Sequence, residues 1–198
     1  TLPPAATPHT AAVQRRAASL VERQYAEAAR DWRATADLTV RDPLAAGQRM
    51  AALSQALVTK MLGARELSIR AVTAAPNEGT RHATNVGVLA LLMGRLCGLS
   101  EPEMQDLGVG ALTHDIGKTF MLKAFSEEPT VKNLDMKLVV ANIQETHLDI
   151  SNIMLKRWGF NDAFIRAVSL HEKNEFDAGV TKDCLVVNLA NIVTRIIG

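Results

Sequence analysis

Apolar residues recur at three- and four-residue intervals along nearly the whole chain and almost nowhere alternate with period two, so the sequence can bury its hydrophobic surface only as packed helices. Val13, Leu20, Val21 and Tyr25 mark a first amphipathic helix over residues 11–36, and Met50, Leu53, Leu57 and Met61 mark a second that opens at Asp42-Pro43 and stops near Gly63. A short helix over 67–75 closes at Pro76-Asn77. Thr80 can cap a helix to about Cys97, whose face begins with His82, continues through Val86, Leu89, Met93 and Leu96, and ends at Gly98. Ser100-Glu101-Pro102-Glu103 is a capping box that opens a helix through Leu107 and Ala111. From Lys118 to Lys132 the signals are mixed. Helical spacing resumes over 133–146, and His147, Ile150, Ile153 and Met154 form a further face ending at Trp158-Gly159, a packing anchor and helix stop. Asn161 or Asp162 caps a helix carrying Phe164, Ile165, Val168 and His171, and residues 183–197 read as a final core helix. The expected fold class is all-α.

With 198 residues, 47% of them hydrophobic, the chain can build a sizeable core. Residues 1–10, with Pro3, Pro4 and Pro8, read as an irregular tail or linker end that includes His9; residues 11–75 read as a helical lead-in and 76–198 as the principal domain. The formal net charge is +1 with both signs interspersed, which argues against DNA or RNA as partner, and any phosphate ligand must be held locally. No apolar run approaches a membrane span and no signal pattern opens the chain, so a cytoplasmic protein is expected. Cys97 and Cys184 lie far apart without CxxC spacing; both are expected as buried thiols rather than as a disulfide or a thiolate metal site.

Chemistry concentrates at the doublet His114-Asp115 in Ala111-Leu112-Thr113-His114-Asp115-Ile116-Gly117-Lys118. Adjacent side chains leave a helix about 100° apart, so imidazole and carboxylate converge on one ion only where the helix end dips toward a site completed by other helices. His82, His147 and His171 each fall on a separate predicted helix, as the ligands of a buried metal would, and Glu78 stands four positions before His82. Imidazole and carboxylate without thiolate suit iron, manganese, zinc or nickel better than calcium, and a bridging carboxylate permits two ions.

The set Glu78-(x3)-His82, His114-Asp115-Ile116-Gly117-Lys118, His147 and His171-Glu172-Lys173 resembles the HD superfamily of metal-dependent phosphohydrolases. From Glu78 to Lys118, including Asn85-Val86-Gly87-Val88-Leu89, the chain is similar to HD-GYP cyclic di-GMP phosphodiesterases; from His147 through Trp158-Gly159-Phe160 to Ala190-Asn191 it is closer to HDOD signalling domains. The resemblance covers about residues 45–198 and implies an HD-domain helical bundle preceded by extra amino-terminal helices. It further implies Glu78, His82, His114, Asp115, His147 and His171 as ligands of one or two divalent transition-metal ions, iron or manganese ahead of zinc or nickel. Asp115 and Lys118 would be the catalytic pair, Lys118 meeting a substrate phosphate. The implied function is hydrolysis of a phosphate-containing small molecule such as a cyclic dinucleotide in signal transduction; the alternative is an inactive HDOD-like domain that binds a signalling partner. A third possibility is a phosphohydrolase acting on a mononucleotide or guanosine tetraphosphate. The chain departs from HD-GYP proteins where it reads Leu170-His171-Glu172-Lys173-Asn174-Glu175-Phe176-Asp177, without the His-His pair or the Gly-Tyr-Pro loop, and where Asn191 stands at the place of the family's closing aspartate.

Overall fold

The computed structural model describes residues 8–63, 78–130, 134–177 and 180–197. These residues form α1 (Pro8–Leu38), α2 (Pro43–Gly63), α3 (Glu78–Leu96), α4 (Glu101–Thr113), α5 (Ile116–Glu127), α6 (Met136–Arg157), α7 (Asp162–Ser169) and α8 (Lys182–Ile197). No strand occurs among them, and the fold is all-α. The short helix expected over 67–75 lies outside the described residues.

Local chemistry explains most boundaries. Ser100 donates from its backbone N–H (2.7 Å) and its hydroxyl (2.6 Å) to Glu103 Oε2, which opens α4. Asp135 accepts from the Lys137 N–H at the start of α6, and Asn161, rather than Asp162, accepts from the Phe164 N–H to cap α7. Gly98 and Gly159 take positive φ of 71° and 82°, where a side chain would be strained, and end α3 and α6.

Four expectations need correction. α1 begins at Pro8, inside the stretch read as irregular, because proline is tolerated in a first turn that lacks N–H partners anyway. Thr80 lies inside α3 rather than at its cap; it is buried, and its carbonyl accepts from Thr84 Oγ1. α5 occupies the region of mixed signals, where only Ile116, Gly117 and Met121 are buried and Leu122 faces outward, so the apolar stripe is thin. Cys97 is exposed in the turn after α3, whereas Cys184 is buried as expected.

α3 packs on α4 and α8, α2 covers α4, and α1 crosses α2 and α3; α5 lies along α6, which meets α7. One continuous core joins these layers through fully buried Met50, Leu91, Met104, Leu107, Leu112 and Leu155, each side chain of this size contributing about 1.5–3 kcal/mol through burial. Trp32 of α1 is part of it, and its indole Nε1 donates to the Leu112 carbonyl at 2.8 Å, fixing α1 against the carboxyl end of α4. Trp158 covers Gly47 so closely that a Cβ there would sit 2.6 Å from its ring, which bears out the anchoring role expected of it.

Candidate metal centre

The doublet sits at a joint. His114 ends α4 with helical dihedrals (φ −53°, ψ −36°), and Asp115, at φ −106° and ψ 21°, precedes the first residue of α5. The chain changes direction there, which lets neighbouring side chains face one point. Gly117 makes the approach possible: its N–H donates to Ser151 Oγ at 2.9 Å, and a Cβ on it would collide with the His147 carbonyl, so α5 meets α6 backbone to backbone.

Three histidines are presented in one way. Nδ1 of His114 lies 2.7 Å from the Ala111 carbonyl, Nδ1 of His147 lies 2.8 Å from that of Gln144, and Nδ1 of His171 lies 2.5 Å from that of Val168. A carbonyl can only accept, so each Nδ1 carries a proton, and Nε2 is the ring nitrogen that each histidine turns toward the site. All three rings are fully buried. They follow one another edge to face, with centroids 4.9 Å apart for His114–His171 and 6.0 Å for His147–His171, while His82 stands 5.1 Å from His114.

Asp115 lies between two groups of donors. Its Oδ2 faces His114 Nε2 (3.4 Å) and His82 Nε2 (3.9 Å); its Oδ1 faces His171 Nε2 (3.3 Å) and His147 Nε2 (3.8 Å). The potential donor atoms of His82, His114 and Asp115 lie within 4.8 Å of one another, and so do those of Asp115, His147, His171 and Glu172. Nε2 of His147 and Nε2 of His171 are buried without a hydrogen bond among the described residues. Buried polar atoms without partners are costly unless a ligand satisfies them, so the donor set fits a divalent metal.

Electrostatics favour the same state. Burial would raise the Asp115 carboxyl, but His114, His171 and Lys118 outweigh it and hold the group well below the usual carboxylate range. Burial, reinforced by His114, pushes His82 down to about 4, and burial lowers His171 against the pull of Asp115. The carboxylate is therefore ionised and both imidazoles are pushed toward their neutral forms; Asn191 Oδ1 accepts from His82 Nε2, so His82 must move its proton to Nδ1 before Nε2 can bind a cation.

Five of the residues suggested by the sequence, His82, His114, Asp115, His147 and His171, thus come together. Glu78 is the first residue of α3, and its side chain lies outside the described residues. Lys118 is drawn into the site, 2.9 Å from Asp115 Oδ1 and 2.8 Å from Glu172 Oε1. His171 stands in the turn just after α7 rather than within it, and Asn188 holds that turn by donating to the carbonyls of His171 (3.0 Å) and Lys173 (2.9 Å). Asn191 Oδ1 lies 3.0 Å from His82 Nε2, and its Nδ2 reaches the His171 carbonyl.

Glu172 is the site residue that sequence reasoning did not single out. It turns inward: Oε2 is 3.5 Å from His147 Nε2, and Oε1 accepts from both Lys118 and Arg195. Burial would raise its carboxyl, but the hydrogen bonds from those two cations carry it down to about 2. Its place directly after His171 is the one sequence signal that pointed here.

A family model described as HDOD domain matches residues 50–174, a span that holds His82, the doublet, Lys118, His147, His171 and Glu172 but neither α1 nor α8. No curated protein and no solved structure matches the chain.

Proposed function

The chain belongs to the HDOD domain family, signalling domains of the HD superfamily, and from that premise we propose that it keeps a working metal centre and hydrolyses a phosphodiester of the cyclic-dinucleotide class, cyclic di-GMP first among them. The observation that carries this reading is the division of Asp115 between two imidazole groups, the arrangement expected of a carboxylate that bridges two divalent ions. Asp115, His147 and His171, with Glu172, would hold one ion; Asp115, His82 and His114 would hold the other. We assign iron or manganese ahead of zinc or nickel. When bound, such ions supply Lewis acidity toward a phosphoryl oxygen.

The chain's own residues do the remaining work in this reading. The carbonyls of Ala111, Gln144 and Val168 keep the three Nδ1 atoms protonated and aim the rings. Lys118 brings positive charge to the developing charge of the phosphoryl group. The donors lie between His82 and Glu172, and α1 buttresses the doublet through Trp32.

A second reading is a non-catalytic domain that binds a signalling partner. It is favoured by the neutral amide of Asn191 beside His82 and by the pairing of Lys118 with two carboxylates. Purified protein should carry at least one equivalent of transition metal by elemental analysis, and with Mn²⁺ or anaerobic Fe²⁺ it should convert cyclic di-GMP to the linear dinucleotide or GMP on chromatography. Metal-loaded protein that gives no turnover, or a His114→Ala/Asp115→Ala double variant that turns over as fast as wild type, would refute hydrolysis at this centre.

A further inference from the structure

We propose that Arg195 of α8 and Lys118 of α5 together form an anion-binding subsite at the mouth of the centre, that the subsite takes a phosphoryl group, and that the carboxylate of Glu172 stands in for this anion in the resting protein. The proposal rests on the hydrolase reading for the identity of the anion, but not for its geometry.

Two cations converge on a single oxygen. Lys118 Nζ donates to Glu172 Oε1 at 2.8 Å and Arg195 Nη2 donates to the same atom at 2.7 Å. A carboxylate oxygen held between an ammonium and a guanidinium is in the environment that proteins build for a phosphate oxygen. The cations belong to helices remote in sequence, so the convergence is a product of the tertiary fold.

The three groups also mark a way in. Side-chain exposure rises from 14% at Lys118 through 26% at Glu172 to 49% at Arg195, while the imidazoles behind them are wholly buried. An anion arriving from solvent therefore meets Arg195 first and Lys118 next, before it reaches the histidines. The formal charges of Asp115, Glu172, Lys118 and Arg195 cancel. A divalent cation bound at the histidines would leave the pocket positive and able to accept a phosphoryl dianion without further compensation.

Glu172 has a second place to go. Its other oxygen, Oε2, lies 3.5 Å from His147 Nε2. A rotation of this partly exposed side chain toward the imidazoles would give up the two cations and uncover them for the incoming group. Arg195 lies outside the matched span of residues 50–174, on α8.

The test uses inorganic phosphate as probe, titrated calorimetrically into the full chain both metal-free in EDTA and loaded with Mn²⁺. Arg195→Gln should weaken phosphate binding about fivefold in both states, the size expected of one half-exposed charge-assisted contact, and Arg195→Lys should recover part of the loss. Glu172→Gln should tighten binding to the metal-free protein by about the same factor, since the competing carboxylate has gone. Metal content and far-UV circular dichroism of Arg195→Gln should match wild type, so that loss of phosphate binding is not loss of the centre or of the fold. Phosphate affinity unchanged in Arg195→Gln, or no tightening in Glu172→Gln, would overturn the subsite. The two proposals fail separately: Arg195-dependent phosphate binding without cyclic di-GMP turnover sinks only the hydrolase reading, and turnover with Arg195-independent phosphate binding sinks only the subsite.

Discussion

Gly117→Ala should damage this protein out of proportion to the methyl group it adds. A Cβ at position 117 would fall on the His147 carbonyl oxygen and lie 2.7 Å from Ser151 Oγ and 2.8 Å from Ser151 N. Two of these atoms are backbone in the middle of α6, so no side-chain rotation relieves the clash, and α5 must retreat by roughly 1 Å to restore ordinary contact. Overpacking of that kind costs about 1–3 kcal/mol, and the upper end applies where backbone must move. Stretching the buried hydrogen bond from the Gly117 N–H to Ser151 Oγ adds about 1 kcal/mol. For a chain of this size the sum lowers the melting temperature by roughly 10 °C. The assay is thermal unfolding followed by circular dichroism in EDTA, which removes any contribution from metal, with Gly79→Ala as control. No atom lies within 4 Å of a Cβ at position 79, in the first turn of α3, so the control should melt at or slightly above wild type. A Gly117→Ala protein that melts within about 2 °C of wild type would refute the close approach of α5 and α6. The same variant should also bind metal more weakly, because the clash falls on the residue that presents the His147 imidazole.

Asn191→Asp places an ionised oxygen where the amide now lies 3.0 Å from His82 Nε2, and should raise bound metal toward two equivalents by elemental analysis; stoichiometry unchanged from wild type would count against His82 and His114 forming a second ion site. Tyr25 supplies a pH dependence: burial pushes its phenol up to about 12 against the opposing pull of Arg81, and its hydroxyl donates to Asn85 Oδ1 at 2.7 Å. A pKa higher in the folded than in the unfolded chain means stability that is whole below about pH 10 and is lost as pH rises toward 12, about 2–3 kcal/mol in all. Urea unfolding of wild type beside Tyr25→Phe should show that difference only in this window, and parallel curves for the two proteins would sink the assignment.

How far the site could be read in advance depended on how local its determinants are. The apolar stripe of α2 is carried by Met50, Leu53 and Leu57, all of them buried, and needed only helical periodicity to be seen. The doublet stood out because an aspartate seldom enters an apolar stretch without a partner. That His82, His147 and His171 would meet it was implied by the resemblance to the HD superfamily, with which their placement on separate predicted helices agreed. What remained hidden was whatever depends on distance in the fold. The inward turn of Glu172 is imposed by Lys118, 54 positions away, and by Arg195, 23 positions away, and nothing beside Glu172 in the sequence announces either. Asn188 reads as one polar residue on an apolar helix until the turn at His171 is laid against it. α5 escaped notice because a helix that buries only a few residues leaves little periodicity to detect.

The joint at Asp115 matters for more than the aim of two side chains. His82 lies 32 positions from His114 and 109 from Asn191, so the centre gathers segments that the unfolded chain would hold far apart. An ion seated there would act as a cross-link, closing several long loops at once, and its binding free energy would add directly to that of folding. Chelation would then loosen the contact of α4, α5 and α6 about their common corner as well as empty a site. In a signalling domain such coupling would tie the shape offered to a partner to the supply of metal, with Asp115 as the point where the two equilibria meet.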